Sequence, residues 1–316
     1  MTEHESVITP TPGADRRVVV IGEALIDIVH RADGRVDEVP GGSPANVALT
    51  VGRLGDAAEL VAAVGADAHG DVIRAWLAES GVRLSAVEGE RTATSTARLA
   101  ADGSATYEFD ITWRLPADLS IGTPGVVHAG SIASILHPGA DVVQQLLRTA
   151  ESTALITFDP NVRPALIPDR DDARRRVEAL VALADVVKAS DEDLTWLYPE
   201  RSPLDSADAW RRSGPAVVVV TTGGDGAAAV TRGGVTRSPG RPVTVVDTVG
   251  AGDTFMGALI HGLLHLRFAG AEARPLLREI DAPDLERILS FAARAAAITV
   301  SRPGADPPRR AELPAL

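Results

Sequence analysis

At 316 residues and 32.9 kDa, with 45% hydrophobic and 23% charged residues and no apolar run near the roughly 18–20 residues of a membrane span, the chain reads as one large or two smaller globular domains outside the membrane. A formal net charge of −12 and an aromatic content of 3% deny nucleic acid both electrostatic attraction and stacking platforms, so a small-molecule partner is expected. Cysteine is absent, which excludes disulfides, thiolate metal centres and cysteine nucleophiles and suits a reducing, cytoplasmic setting, and lysine occurs once, at Lys188, which excludes a Gly-Lys-Ser/Thr phosphate loop and a protein-kinase strand lysine.

Residues 1–16 are polar, carry Pro10 and Pro12 and lack an apolar leader core, so they are expected to form a flexible tail ahead of an α/β domain over 17–316. Residues 17–29 are β-branched and read as one buried central strand, broken by Gly22 and ending in Asp27. Residues 30–40 alternate around Asp33-Gly34 as a hairpin, after which Gly41 and Gly42 open a helix that runs to Leu54. A strand over 59–64 and a helix over 67–80 begin a βα rhythm. Between 92 and 113 the pattern returns to short alternating strands around Asp102-Gly103, a second β excursion.

From residue 125, strands over 125–129, 155–159, 186–189 and 216–221 alternate with helices over 140–149, 171–184, 191–198 and 207–212. That alternation predicts a doubly wound, mainly parallel sheet with helices on both faces. A meander over 227–231 and 235–237, a strand over 243–246, a helix to Leu266 and a last helix over 283–300 complete the order.

The sharpest chemical signal is DTVGAGDTFMGAL, residues 247–259. The first amides of a helix lack internal partners and glycine lets an anion reach them, so a phosphate can rest on Gly250, Ala251 and Gly252 without a lysine. Asp253 beside it has two readings: a helix-terminal acid that only caps, or a group that accepts a proton or faces a metal ion. The second signal is GGSPAN, residues 41–46, where Gly42 and Asn46, with Asp27 upstream, suit a polyol; the plainer reading is a turn before a helix.

Arg163, in FDPNVRP, follows the carboxyl end of a strand, where open α/β sheets bind ligands, and its plain alternative is a surface arginine. Tyr107, Phe109 and Trp113 alternate along TYEFDITW and either cover a ligand or pack the second excursion. Other features read as structural. His261 and His265 lack a third metal ligand, the acids at 169, 171 and 172 precede Arg174–Arg176 as helix decoration, and Gly223, Gly224 and Gly226 precede a hairpin, not a dinucleotide-binding helix.

GGSPANVALTVGRLG and DTVGAGDTFMGAL together resemble the paired signatures of the ribokinase-like (PfkB) carbohydrate kinases, in the same order and separation, with FDPNVRPAL, VKASDEDL and VVVVTTGGDGA between them. The resemblance implies an α/β kinase domain with a small β-sheet lid, here at about 29–41 and 92–113. It implies Asp253 as catalytic base and the amides of Gly250, Ala251, Gly252 and Asp253 as an anion hole. Asp27, Gly42 and Asn46 would bind sugar, with Arg163 as a substrate or phosphate contact. ATP would lie against Thr221, Gly223 and Ala293, with Asp193 arranging Mg²⁺ through water. A monovalent cation, K⁺, would sit by Asp247, the Val249 carbonyl and the turn at 301–305.

The motifs are nearest to fructokinases, which favours fructose, with 2-keto-3-deoxygluconate or a nucleoside as alternatives; Ser43 stands where ribokinases carry lysine, and a neutral side chain there disfavours phosphorylated substrates. A non-catalytic sugar-sensing module and a nicotinamide oxidoreductase are the rivals from other classes. A homodimer through the edges of the lid is left open.

Overall fold

The computed structural model describes residues 15–31, 33–99 and 105–316. Its first strand, β1 (Val18–Ile21), is buried on both faces, because Val18 and Val20 enter one hydrophobic cluster while Val19 and Ile21 enter another. A strand of that kind needs helices on both sides, and the rest of the chain supplies them.

The next elements are β2 (Leu25–His30), β3 (Val36–Gly41), α1 (Ser43–Arg53), β4 (Ala58–Gly65), α2 (Ala68–Ala78), β5 (Val82–Gly89), β6 (Ala93–Leu99) and β7 (Ala105–Asp110). The second half runs β8 (Val126–Gly130), α3 (Gly139–Ala150), β9 (Leu155–Asp159), α4 (Arg170–Val181), β10 (Val186–Ser190), α5 (Asp191–Leu197), α6 (Pro203–Ser213), β11 (Val217–Thr221), β12 (Gly226–Thr231) and β13 (Gly234–Pro239). It closes with α7 (Ala251–His265), α8 (Arg274–Arg278) and α9 (Ala282–Val300).

Among the described residues the large sheet has the order β13-β12-β11-β10-β9-β8-β1-β4-β5, parallel except for the antiparallel β11-β12-β13 meander at one edge. On one face Leu49 of α1, Leu77 of α2, Met256 and Leu259 of α7 and Leu289 of α9 pack together. On the other lie Leu147 of α3, Leu180 of α4, Leu194 of α5 and Trp210 of α6. This is the doubly wound α/β arrangement expected from the strand–helix alternation. None of the described helices is long and apolar enough to cross a membrane.

A second sheet, β3-β2-β6-β7, stands apart from the first, with β2 and β6 parallel and both flanking pairs antiparallel. Here the structure corrects the expectation of one strand over 17–29. The chain leaves the large sheet after Ile21 and starts afresh at Leu25, so Asp27 belongs to the small sheet. Gly22 makes the break: a Cβ there would lie 2.2 Å from Pro44 Cγ at the start of α1, so only glycine passes.

Residues 243–246 form no strand either. The Val246 and Asp247 amides both donate to the Val300 carbonyl at the end of α9, and Val243, Val245 and Val246 are exposed. The valine run indicates extended backbone, but it pairs with no strand among the described residues. Trp113 is a core residue, 4% exposed, donating from Nε1 to the Ala133 carbonyl at 2.9 Å. Residues 1–14, the Asp102-Gly103 turn and the Tyr107 side chain lie outside what the structure describes.

Candidate active site

The carboxyl ends of β1, β9, β10 and β11 open into a cleft of about 680 Å³, roofed by residues of the small sheet such as Asp27, Ser95 and Phe109. This is where parallel α/β sheets place ligands, because the strand ends and the following helix N-termini present unpaired backbone groups there. Gly42, Asn46, Arg163, Asp193, Thr221, Gly223, Val249, Gly250, Gly252 and Asp253 all line it. Ala251, Asp247 and Ala293 do not. The Ala251 amide is directed to the Thr248 carbonyl at 3.3 Å, and Ala293 is packed into the core on α9.

Asp253, in the first turn of α7, is 6% exposed and makes no bond to the amides of its own helix terminus; α7 has no side-chain cap at all. The capping reading is therefore set aside. Its Oδ1 instead accepts a hydrogen bond from Ser43 Oγ at 2.7 Å and, more weakly, from Asn161 Nδ2 at 3.3 Å. Its Oδ2 accepts from Asn46 Nδ2 at 2.8 Å.

These contacts continue outward in one sense. Arg163 Nη1 donates to Asn161 Oδ1 at 2.6 Å, Asn161 Nδ2 to Ser43 Oγ at 2.6 Å, and Ser43 to Asp253. Each donor polarises the next, and the chain ends on the Asp253 carboxylate. Asn161 holds its place with a φ of +35°, which asparagine tolerates better than most residues.

Asn46 Oδ1 is buried and has no hydrogen-bond partner among the described residues. An amide cannot remedy this by turning over, because Oδ1 would then face the Asp253 carboxylate.

Asp193 carries less freedom than its sequence context implies. Its Oδ1 accepts the Val162 amide at 2.8 Å and its Oδ2 the Ser190 amide at 2.9 Å, while Ser190 Oγ accepts the Asp193 amide in return. The Ser190–Asp193 exchange is a capping box that closes the start of α5, and the Val162 bond ties it to the segment carrying Asn161 and Arg163.

The cleft holds more charge than the sequence suggests. Glu23, between β1 and β2, is 5% exposed; burial lifts its carboxyl from an ordinary 4.5 to about 7 against the hydrogen bonds from Ser131 and the Ala133 amide. Asp27 is also raised by burial, against a hydrogen bond with Ser95 and the charge of Arg163. Lys188, excluded from any phosphate loop by its sequence context, nonetheless lines the cleft.

Glu23 makes a test of this electrostatics. A carboxyl whose folded pKa is raised costs nothing below its unfolded value; the cost grows as pH rises above that value and is complete once pH passes the folded one. Between pH 4.5 and about 7 the cost accumulates to about 3 kcal/mol. Glu23→Gln is therefore expected to melt with the wild-type chain at pH 4 and several degrees above it at pH 8; a difference independent of pH refutes the assignment.

Asn161 and Glu23 carry contacts that their sequence context does not single out, and Ser43 and Lys188, notable in the sequence only for their charge, stand at the site itself. The remaining features behave as structure: His261 pairs with Asp56 at 2.6 Å and stacks on Phe291, and Asp169 caps α4. No cluster of metal-binding type is found among the described residues.

With this geometry in hand, comparison with known proteins is informative. Residues 15–311 match the model of the pfkB family carbohydrate kinases. The chain is 34% identical to Fructokinase-1 of Oryza sativa subsp. japonica over 96% of its own length and 98% of the relative's. Among solved structures it resembles fructokinase of Xylella fastidiosa with bound ATP (29% identity, TM-score 0.80, covering 94% and 95% of the two chains). It also resembles a double mutant of Vibrio cholerae fructokinase in a form bound to fructose, ADP and potassium (26% identity, TM-score 0.79, covering 92% and 94%).

Proposed function

The chain belongs to the pfkB family of carbohydrate kinases and phosphorylates a small sugar at the expense of ATP, and from that premise we propose that the sugar is fructose and that Asp253 is the base. The observation that carries this reading is the Asp253 carboxylate, buried at the mouth of α7 beside Asn46 and facing the cleft.

In this reading the sugar's primary hydroxyl lies against Asp253. The hydroxyl oxygen forms a bond to the γ-phosphorus as the bond to the β-γ bridging oxygen breaks. Asp253 takes the hydroxyl proton, and ADP leaves. The amides of Gly252 and Asp253, at the open start of α7, stabilise charge on the phosphoryl oxygens, so that catalysis is positioning plus electrostatics. Thr221 and Gly223 hold the nucleotide, and the small sheet excludes water when it closes.

Mg²⁺ accompanying ATP neutralises charge on the β- and γ-phosphates; Asp193, both of whose oxygens are engaged by amides, fits a contact through water. For K⁺ the fit rests on Asp247. Its carboxylate accepts the Val249 amide at 3.0 Å and the Gly304 amide at 2.9 Å, which ties together the two turns between which the cation would sit.

The choice of fructose rests on charge as well as on similarity. Glu23, Asp27 and Asp253 line the cleft, and Ser43 is neutral, which suits an uncharged polyol. Arg163, an exposed guanidinium at the same cleft, supports a second reading in which a sugar acid such as 2-keto-3-deoxygluconate pairs with it. Phosphorylation of a sugar panel, with and without K⁺, separates the two. Fructose is expected to exceed ribose and 2-keto-3-deoxygluconate in kcat/KM by about tenfold or more. A preference for the sugar acid that Arg163→Ala abolishes establishes the second reading instead.

A further inference from the structure

Lys188 is the chain's single lysine among 30 arginines, and it lies beneath the glycine turn. It stands in β10 with its side chain only 4% exposed. Its ammonium donates to Asp159 Oδ2 at 2.8 Å and to the Gly252 carbonyl at 3.4 Å. We propose that Lys188 is a positioning residue for phosphoryl transfer, which orients and polarises the Gly252–Asp253 peptide through its carbonyl so that the Asp253 amide binds the transferred group more strongly.

The inference rests on the assignment of this turn to the phosphoryl group, and it adds a residue to which no motif assigns a role. The Gly252 carbonyl and the Asp253 amide belong to one peptide unit, so a cation at the oxygen strengthens the donor at the nitrogen. Gly252 itself points the same way. It has no positive φ, and the one atom close to a Cβ built there is Lys188 Nζ, at 3.1 Å. The ammonium occupies the space that a side chain would take.

A purely structural account of the pair is weaker. Burying two charges costs about as much as their attraction returns, so a hydrophobic pair would serve stability equally well. Nor is this pair fully satisfied, because Asp159 Oδ1 is buried without a partner among the described residues. Burial raises the Asp159 carboxyl to about 6, whereas Asp159, Asp193 and Asp253 hold the Lys188 ammonium above its ordinary value against its own burial. Lys188 therefore stays protonated beneath a site that must receive negative charge, its ammonium held against the Gly252 carbonyl by Asp159 on its other side.

Lys188→Met alone leaves Asp159 buried and unpaired, and poor folding would then obscure the result. The informative variant is the double substitution Lys188→Met with Asp159→Asn, which removes both charges at nearly constant volume. Its melting temperature is expected to match the wild type. Its kcat is expected to fall about ten- to a hundredfold, less than the loss of a direct oxyanion donor, while KM for fructose stays within about twofold. A double variant that folds normally and keeps wild-type kcat overturns the inference.

A binding measurement separates this failure from failure of the site assignment. Aluminium fluoride, a mimic of the transferred phosphoryl, is added to ADP and fructose, and the gain in ADP affinity is read by calorimetry. The gain is expected in the wild type and is expected to shrink in the double variant. An equal gain in both overturns the role of Lys188 alone. No gain in the wild type overturns the assignment of the turn, and this inference with it.

Discussion

Asp253→Asn is expected to lower kcat by about 10²–10⁴, the usual contribution of general acid–base catalysis, with fructose affinity nearly unchanged. The substitution is well suited to the question because the site can absorb it. Both carboxylate oxygens accept hydrogen bonds, from Ser43 and from Asn46, so an amide in their place sets one NH₂ against another. Asn46 Oδ1 is unpartnered, and turning the Asn46 amide over offers the new donor an acceptor. The fold and the sugar pocket therefore survive, while the proton acceptor is gone. Steady-state turnover beside calorimetric fructose binding checks this, and turnover within about threefold of wild type refutes Asp253 as the base.

Gly250→Ala is expected to be the most damaging single methyl group in the turn. Gly250 has a φ of +75°, where an L side chain costs about 1–2 kcal/mol, and its new Cβ would lie 2.5 Å from Ala305 Cβ and 3.0 Å from Ala305 Cα. Since the second obstacle is backbone, the 301–305 turn must move. Strain and overpacking together amount to about 2–4 kcal/mol, or a drop of about 3–6 °C in melting temperature for a chain of this size.

Gly252→Ala provides the contrast. That residue lies within α7 without a positive φ, its close neighbour is the flexible end of Lys188, and alanine is the better helix former by about 1 kcal/mol. Its stability should stay near wild type while turnover falls. Thermal melts of the two variants decide the matter, and equal losses of stability would show that one common cause, not two, fixes these glycines.

Much of the architecture is legible in the chain itself because buried parallel strands need continuous β-branched runs and amphipathic helices need a period near 3.6. The same rule misleads where context decides. The valines at 243–246 satisfy it and form no strand, and residues 17–29 satisfy it over a break that Pro44, some twenty residues on, imposes through Gly22. β5 is the reverse case: Val82 to Ala86 alternate apolar and polar residues, a strand signal that the expected element order leaves out, and β4 pairs with it in parallel.

The site divides in the same way. By itself the sequence determined the family, the strand–helix order, the glycine turn that opens α7, and the exclusion of a lysine phosphate loop, since these depend on residue type and short spacing. Tertiary structure alone decided that Asp253 faces Ser43, Asn46 and Asn161 in place of its own helix terminus, that Asp193 is taken up by two amides, and that Lys188 lies under Gly252. Apart from the local Ser190–Asp193 bond, three residues apart, those pairings join residues from 31 to 210 positions apart. Hydrogen bonds and ion pairs act over about 3 Å in space whatever the separation along the chain, so no local pattern could encode them.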